Sequence, residues 1–159
     1  MESADILSYE DAESYDLILM DQVLEHIPEN DCLYFLKKLY GMLKKDGFLV
    51  SRAPNRLNGP HDVSWFLPLG SKAQGTHFNE MTLTETISIM KQVGFRNFKT
   101  PNFPFPSKVP SQLRFFIFWT KNQIPFATLF EEIYPFLPYS LKPALSFLLF
   151  VPNTIAAQK

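Results

Sequence analysis

The segment 15–55, YDLILMDQVLEHIPENDCLYFLKKLYGMLKKDGFLVSRAPN, decides the fold. Its apolar start, YDLILMD (15–21), is typical of a parallel strand that is buried on both faces. The stretch GFLVSRAPN (47–55) predicts a second strand, ended by Pro54. The sequence between them predicts a helix with one apolar face, formed by Leu33, Leu36, Leu39, Tyr40 and Leu43. Strand, helix and strand in this order predict a βαβ unit and a parallel sheet.

Local signals predict where this helix begins and ends. Asn30 or Asp31 can cap its N-terminus, because short polar side chains accept hydrogen bonds from the first free amides. Lys44 and Lys45 suit the negative end of the helix dipole. Gly47 can end the helix in the left-handed conformation.

The middle of the chain predicts a long loop, a helix and a strand. The polar loop runs from Asn55 to Glu80, and loops of this length are usually functional or mobile. Thr82 and Glu85 form a capping-box pattern at the start of a helix over 82–94, which Gly94 closes. The alternating stretch FRNFKT (95–100) predicts a strand.

The last third of the chain is unusually aromatic. More than half of the aromatic residues lie between Phe103 and Phe150, where proline interrupts helical pieces predicted at about 110–121, 125–134 and 140–150. No apolar run there reaches the roughly 18–20 residues that a membrane-spanning helix needs. NTIAAQK (153–159) predicts a short edge strand.

Composition limits the class of protein. The 159 residues suit one modest domain, and a net charge of −1 gives no electrostatic case for binding nucleic acid. The single cysteine, Cys32, excludes a disulfide framework and fits a reducing compartment. No apolar segment follows a basic start, so no signal peptide is predicted. We expect a cytoplasmic location, with association with a membrane as the alternative.

Polar residues follow the first predicted strand, where ligands bind in open α/β sheets. Asp21, Gln22 and Val23 would face the crevice at that strand end, and His26 follows about one helical turn later. The alternative is that Asp21 or Gln22 merely caps a turn and that His26 packs or hydrogen-bonds locally. Asn55, at the end of the next strand, either opens on the same crevice or is a turn-former.

The long loop carries His61, Asp62, His77 and Glu80. These are candidate acid–base groups or substrate contacts, with solvated loop residues as the alternative for each one. The histidines and the cysteine show neither H-x-x-x-H nor C-x-x-C spacing, so no metal site is predicted. GSKAQGTH (70–77) resembles a phosphate-binding loop but has Thr76 where the lysine belongs.

The order of these motifs resembles the second half of a class I S-adenosylmethionine-dependent methyltransferase. That family has an apolar strand, a D-V-L-E-H-like segment, a helix, L-K-x-G-G and a strand ending near P-N; this chain has DQVLEHIP, LKKDG and APN. HFNEMTLTETISIMKQVGF (77–95) resembles the next element of the family, and PNTIAAQK (152–159) resembles its last strand.

The resemblance implies an α/β fold with a partial doubly wound, Rossmann-like sheet and a helical, aromatic-rich insertion at 101–152 before the last strand. The family's glycine-rich loop has no counterpart, since none of the six glycines is spaced as G-x-G. We therefore expect residues 1–159 to form a single truncated methyltransferase domain that binds S-adenosylmethionine weakly or not at all by itself.

The resemblance also implies roles for individual residues. Asp5 would meet the adenine amino group and Ile6 would lie beside the base. Asp21, Gln22 and Val23 would line the methionine end of the cofactor, and His26 would lie on the acceptor side. With the loop included, the expected catalytic residues are His26 and His77, and the expected substrate contacts are Asn55, His61 and Glu80.

The implied function is methyl transfer to a small-molecule acceptor, such as a sugar, a lipid-linked intermediate or a quinone-like molecule. The alternative is a non-catalytic interaction or membrane-surface protein that derives from the same fold and pairs its exposed sheet edge with another subunit. The aromatic segment 104–150 is either a helical cap with its own core or a contact for a hydrophobic acceptor or a membrane surface.

Overall fold

The computed structural model describes residues 5–6, 8–9, 12–100, 124–142 and 153–159. Within these residues, one sheet contains the strands β1 (Tyr15–Asp21), β2 (Leu43–Ala53), β3 (Arg96–Lys99) and β4 (Asn153–Gln158), in the spatial order β1-β2-β4-β3. The α-helices of the described part are α1 (Glu29–Met42), α2 (Leu83–Val93) and α3 (Ile124–Ile133).

The strand pairing confirms the predicted βαβ unit and corrects the position of the last strand. β1 and β2 are parallel, with Leu19 opposite Val50, and α1 connects them. β4 pairs antiparallel with both β2 and β3. The prediction of an edge strand at 153–159 was therefore wrong. A strand's neighbours depend on backbone pairing with distant segments, which its own sequence does not contain.

Helix α1 ends earlier than the sequence predicts. Met42 is its last residue, Pro28 precedes its first turn, and Leu43 already begins β2 with its side chain fully buried. The predictions that Asn30 or Asp31 caps the helix, that Lys44 and Lys45 lie in its last turn and that Gly47 ends it were wrong. Gly47 lies inside β2, where an added Cβ would stand 3.0 Å from the carbonyl oxygen of Lys44.

Helix α2 confirms its local signals. Thr82 accepts a hydrogen bond from the Glu85 amide, and the Glu85 carboxylate accepts one from the Thr82 amide, which completes the capping box. Gly94 ends the helix at φ 117°, in the left-handed region that favours glycine. The strand predicted at 95–100 is present as β3.

The last third is described only in part. α3 confirms the helix predicted at 125–134, whereas the pieces predicted at 110–121 and most of 140–150 lie outside the described residues. No helix in the described part of the chain is long and apolar enough to cross a membrane.

The two faces of the sheet differ in what covers them. One face packs against α1 and α2 in a core that includes Met20, Leu49, Ile155, Leu36, Leu39, Ile87 and Met90. On the other face Leu17, Leu19 and Phe48 are 51%, 71% and 37% exposed. The prediction that β1 is buried on both faces was wrong, because an apolar run does not record whether a helix from elsewhere in the chain covers each face.

Candidate functional site

The carboxyl end of β1 carries the first group of candidate residues. Asp21 closes the strand and accepts a hydrogen bond of 2.7 Å from Arg52 Nε, while the Gln22 amide donates to the Arg52 carbonyl at 2.8 Å. Gln22 has φ 54°, a conformation that is strained for a residue with a side chain. Asp21 and Gln22 are exposed and Val23 is half-buried. These side chains therefore stand at the strand end where the sequence predicts a binding crevice.

A short 3-10 helix, Leu24–His26, follows immediately and divides its residues between core and surface. Leu24 and Glu25 are 1% and 0% exposed, whereas His26 is exposed. Neither carboxyl oxygen of Glu25 has a hydrogen-bond partner among the described residues. Burial raises the pKa of Glu25 above its ordinary value of 4.5.

The long loop brings His77 against this turn. The rings of His26 and His77 meet edge to face, with centroids 5.0 Å apart, and the Asn79 amide donates to the Glu25 carbonyl at 3.1 Å. One ligand-capable atom from each of Glu25, His26 and His77 lies within 4.8 Å of the others. We call these three residues the carboxylate–histidine cluster.

Glu80 orients the two loop histidines. Its buried carboxylate lies 2.6 Å from His77 Nδ1 and 3.2 Å from His61 Nδ1, and it also accepts a 2.8 Å hydrogen bond from the His61 amide. Burial alone would raise the pKa of Glu80, but these hydrogen bonds outweigh it and hold the pKa below 4.5. Glu80 is therefore an anion that fixes Nδ1 of His77 as a donor.

Asp62 shapes the loop from within. It accepts hydrogen bonds from the Ser64 amide at 2.9 Å, the Gly75 amide at 2.7 Å and the His77 amide at 3.3 Å, and also from the Ser64 hydroxyl. The Ser64 hydroxyl, with the amides, holds the pKa of Asp62 well below its usual range. This geometry favours a structural role for Asp62 in the loop over a role as an acid–base group. Its hydrogen bonds hold the loop in the conformation that positions His77.

Asn55 lies apart from the cluster in a buried polar network. Its side-chain amide donates to Glu131 at 2.8 Å and to Asn153 at 2.9 Å, and its Oδ1 accepts from the Leu57 amide. The side chain of Asn55 is 2% exposed. The structure therefore uses Asn55 to join β2, α3 and β4, and does not bring it to the other candidate residues.

The remaining predicted residues lie at the N-terminal end of the described chain. Asp5 is exposed and its carbonyl accepts hydrogen bonds from the amide and the hydroxyl of Ser8, at 3.1 and 3.0 Å. Ile6 is half-buried and packs against the core. Their contacts with adenine stay predictions.

Sequence reasoning missed Glu25. The residue follows a buried leucine and precedes an exposed histidine, and no spacing rule for helices or strands marks it as buried. In the structure Glu25 lies in the 3-10 helix Leu24–His26, which is too short for a periodic pattern to predict which side chain is buried.

A cavity of about 420 Å³ adjoins the cluster through Glu80. Its charged lining residues are largely paired with one another, as Arg56 with Glu85 and Lys72 with Glu29. This pairing leaves little free charge for recognising an ionic ligand, so the cavity is a weaker candidate site than the end of β1.

Comparison with known protein families identifies the domain. A methyltransferase-domain family matches residues 2–100. The chain belongs to this methyltransferase family. Comparison with curated proteins finds no match.

Solved methyltransferase structures share the fold. An S-adenosylmethionine-dependent methyltransferase from Archaeoglobus fulgidus is 17% identical with a TM-score of 0.57, and the alignment covers 99% of this chain and 66% of that one. A second such enzyme, from Mesorhizobium loti, is 13% identical with a TM-score of 0.54, covering 99% of this chain and 68% of that one.

A third structure is phosphoethanolamine N-methyltransferase 2 from Haemonchus contortus in complex with S-adenosylmethionine. It is 16% identical with a TM-score of 0.53, and the alignment covers 97% of this chain and 35% of that one. At these identities the likeness shows the fold alone, and it confirms the predicted partial Rossmann-like α/β fold. The chain spans less than two thirds of the Archaeoglobus and Haemonchus chains.

The residues present fit one wall of a methyltransferase cofactor site. The strained backbone of Gln22 and the exposed side chains of Asp21 and Gln22 stand at the carboxyl end of β1, where the polar methionine end of S-adenosylmethionine would find partners. Asp21 is also within reach of Arg52, so its carboxylate is held in place. The chain has no G-x-G loop to form the facing wall.

Proposed function

We propose that this methyltransferase domain acts in the transfer of a methyl group from S-adenosylmethionine to a small-molecule acceptor. The cofactor would supply an activated sulfonium methyl, so that alignment of the acceptor contributes much of the rate. The observation that carries the proposal is the strand end Asp21–Val23 next to the carboxylate–histidine cluster, where Asp21 and Gln22 are exposed and the backbone of Gln22 is strained.

Two parts of the site have separate tasks in this proposal. Asp21, Gln22 and Val23 bind the methionine end of the cofactor, because they lie at the end of a parallel strand where α/β folds bind ligands. His26 and His77 act on the acceptor side. Their imidazole rings lie together beside the strand end, and an imidazole nitrogen can assist the removal of a proton from the acceptor. Glu80, whose side chain is 1% exposed, supports them by orienting His61 and His77. In this proposal the partly exposed His61 contacts the acceptor.

The acceptor we propose is a hydroxyl-bearing or amine-bearing small molecule of the sugar, lipid-linked or quinone-like kind. A neutral acceptor of these classes must lose a proton as it is methylated, and the histidine pair suits that requirement. The exposed apolar side chains Trp65 and Phe66 in the same loop, 75% and 71% exposed, favour an acceptor with a hydrophobic part.

A nuclear magnetic resonance titration tests cofactor binding. Addition of S-adenosylmethionine to the isotope-labelled chain is expected to shift the amide resonances of Asp21, Gln22 and Val23 in a saturable, weak manner. We expect weak binding because this chain contributes one wall of the cofactor site and lacks the glycine-rich loop of the facing wall. The matched comparison is Gln22→Ala against Gln92→Ala, an exposed glutamine on α2.

The Gln22→Ala variant is expected to lose most of the shift, and Gln92→Ala is expected to behave like the unchanged chain. Resonances of 21–23 that stay constant at saturating cofactor would contradict the proposed site. Tight, micromolar binding by the unchanged chain would contradict the expectation that half of the pocket is missing.

The open face of the sheet favours a second candidate, a non-catalytic interaction. Leu17 and Leu19 are exposed beside Phe48, and within the described residues β1 pairs with β2 alone. An apolar sheet face with a free edge is a common docking surface for another protein subunit. A second copy or another subunit packed there would bury these leucines.

Two experiments separate the alternatives. Sedimentation of the unchanged chain and of the Leu19→Lys variant tests for self-association through the open face of the sheet. An oligomer that uses this face should dissociate in the variant. Flotation with liposomes, compared with a version lacking 104–150, tests membrane contact by the aromatic segment. Monomeric sedimentation and no flotation would leave methyl transfer as the supported function.

A further inference from the structure

The carboxylate–histidine cluster has the composition and spacing of a metal site. It offers one carboxylate oxygen and two imidazole nitrogens, all within 4.8 Å of one another. Two histidines with one carboxylate is a set that divalent zinc, iron, cobalt and manganese accept in proteins. Sequence reasoning predicted no metal there, because 50 residues lie between His26 and His77 and no short motif joins them.

The hydrogen bonds of both histidines leave the same kind of nitrogen free. His26 Nδ1 lies 3.2 Å from the Thr76 carbonyl, and His77 Nδ1 lies 2.6 Å from the Glu80 carboxylate. An Nδ1 that donates to an acceptor carries the proton, so each Nε2 presents a lone pair. Metal-binding histidines are typically oriented in this way by a carbonyl or carboxylate behind them.

Glu25 provides the independent sign that a ligand belongs here. It is 0% exposed, and neither carboxyl oxygen has a partner among the described residues. A buried carboxylate without hydrogen bonds is costly, and a protonated carboxyl would still leave its hydroxyl without an acceptor. A bound cation would satisfy the group in either account.

We propose that Glu25, through a carboxylate oxygen, and His26 and His77, through Nε2, bind one divalent transition-metal ion such as Zn²⁺. Three protein ligands leave at least one coordination position open, as in catalytic rather than structural zinc sites. Because the side chain of His26 is exposed, we expect an ion there to be reached from solvent.

The metal site deepens the proposed function and rests on it only for its use. With the ion bound, Nε2 of His26 and of His77 holds the metal and takes up no proton, so the pair acts on the acceptor through the ion. An acceptor hydroxyl at the open position would release its proton to water more readily, because a coordinated cation stabilises the resulting oxyanion. In this arrangement Glu80, held as an anion, increases the basicity of His77 as a ligand. The binding itself can be measured without cofactor or acceptor.

The test is a Co²⁺ titration of the full chain after treatment with a chelator. Visible absorption reports ligand-field bands of the bound ion, and competition with Zn²⁺ gives the affinity for the second metal. The expected result is one equivalent of bound ion with bands of a low-coordinate site that contains nitrogen ligands. The absence of saturable binding at millimolar Co²⁺ or Zn²⁺ would overturn the proposal.

Variants assign the ligands. Glu25→Gln, His26→Ala and His77→Ala are each expected to weaken Co²⁺ binding by more than about 100-fold, which exceeds the usual effect of losing an outer partner. Glu80→Gln is expected to weaken it by about 10–100-fold, because it removes such a partner. Glu132→Gln, an exposed carboxylate on α3, is the matched control and should bind as the unchanged chain does.

His26 keeps the test decisive if a buried variant fails to fold. Because its side chain is exposed, His26→Ala should retain the circular dichroism of the unchanged chain while losing the metal. Equal affinity in His26→Ala and the unchanged chain would refute the assignment. Metal binding with no effect of S-adenosylmethionine on 21–23 would support this site and count against the proposed function, so the two can fail separately.

Discussion

Two buried glutamates, Glu131 and Glu25, show opposite ways of placing a carboxyl group inside this protein. Glu131, on α3, accepts hydrogen bonds from the amides of Leu83 at 2.6 Å and Thr84 at 2.8 Å, from the Thr84 hydroxyl at 2.7 Å and from Asn55 at 2.8 Å. Glu25 accepts none from the described residues. The Glu131 carboxylate caps the start of α2, and the Glu25 carboxylate is the proposed metal ligand.

The partners of Glu131 explain how α3 is attached. Two of them are amides at the start of α2, where free N–H groups and the helix dipole favour a negative charge. Asn55 joins the same carboxylate to the end of β2. A single side chain thus fixes a helix from the last third of the chain to the sheet and to α2.

The difference between the two glutamates shows what burial alone does not reveal. Glu131 is 7% exposed and Glu25 is 0% exposed, so burial does not distinguish them. Their hydrogen-bond partners do, because a buried carboxylate with donors stabilises the fold and one without donors destabilises it. Removal of each carboxylate should therefore have opposite effects.

Glu131→Ala is expected to give the largest change. It leaves the first amides of α2 without their side-chain acceptor and removes one of the two acceptors of the Asn55 side-chain amide, so the free energy of unfolding should fall by about 3 kcal/mol. Urea denaturation followed by circular dichroism measures the change. The adjacent exposed residue supplies the control, because Glu132→Ala should alter stability by no more than about 0.5 kcal/mol. Similar losses in both variants would remove the distinction.

Glu25→Met is expected to act in the opposite direction in the metal-free chain. The substitution keeps the volume and removes two carboxyl oxygens that have no partner, so stability should rise by about 1 kcal/mol. The same denaturation experiment, in chelator, measures it. With saturating Zn²⁺ the order should reverse, since the unchanged chain alone would be stabilised by the ion. A clear loss of stability in chelator would show that Glu25 has a structural partner.

Glu85 provides a smaller, intermediate case. Burial alone would raise its pKa, but the hydrogen bond from the Thr82 amide and the neighbouring Arg56 hold it below 4.5. A lowered pKa in the folded state means that stability is present above the unfolded value and is lost as the pH falls through the folded value. The wild-type chain should therefore lose stability below about pH 4.5 through this group.

Glu85→Gln is the matching variant. At neutral pH it should lower the free energy of unfolding by about 0.5 kcal/mol, because the side chain is partly exposed and its ion pair is screened. That difference from the wild-type chain should shrink as the pH falls from 5 to 3 in urea denaturation. A difference that stays constant with pH would mean that the charge of Glu85 contributes nothing.

Much of the fold follows from local patterns, and the exceptions have a common cause. Thr82, Glu85 and Gly94 make capping interactions with residues within one helical turn, so the bounds of α2 are predictable from its own sequence. Gly47 carries the same signal as Gly94, but it lies in a strand because Leu43 pairs with Tyr15 in the sheet. That pairing joins segments 28 residues apart, and long-range pairing overrides a local propensity.

The candidate site divides in the same way. The positions of Asp21, Gln22, Val23 and His26 were predictable, because they lie at the end of a recognisable strand or directly after it, and their roles stay predictions. The contact between His26 and His77 depends on Asp62, whose hydrogen bonds to Gly75 and His77 fold the loop back on itself. No pattern in the loop specifies that path, so the histidines could be named singly but could not be paired.

The sequence by itself determined the order of elements, the family and the polar strand end, because each depends on residues that are neighbours along the chain. The tertiary structure decided which face of the sheet is covered, where β4 lies, and which buried carboxylate has partners. These outcomes depend on the burial and hydrogen bonding of groups brought together from distant segments. Glu25 and Glu131 are the same residue type, and only the folded surroundings make one a cap and the other a candidate ligand.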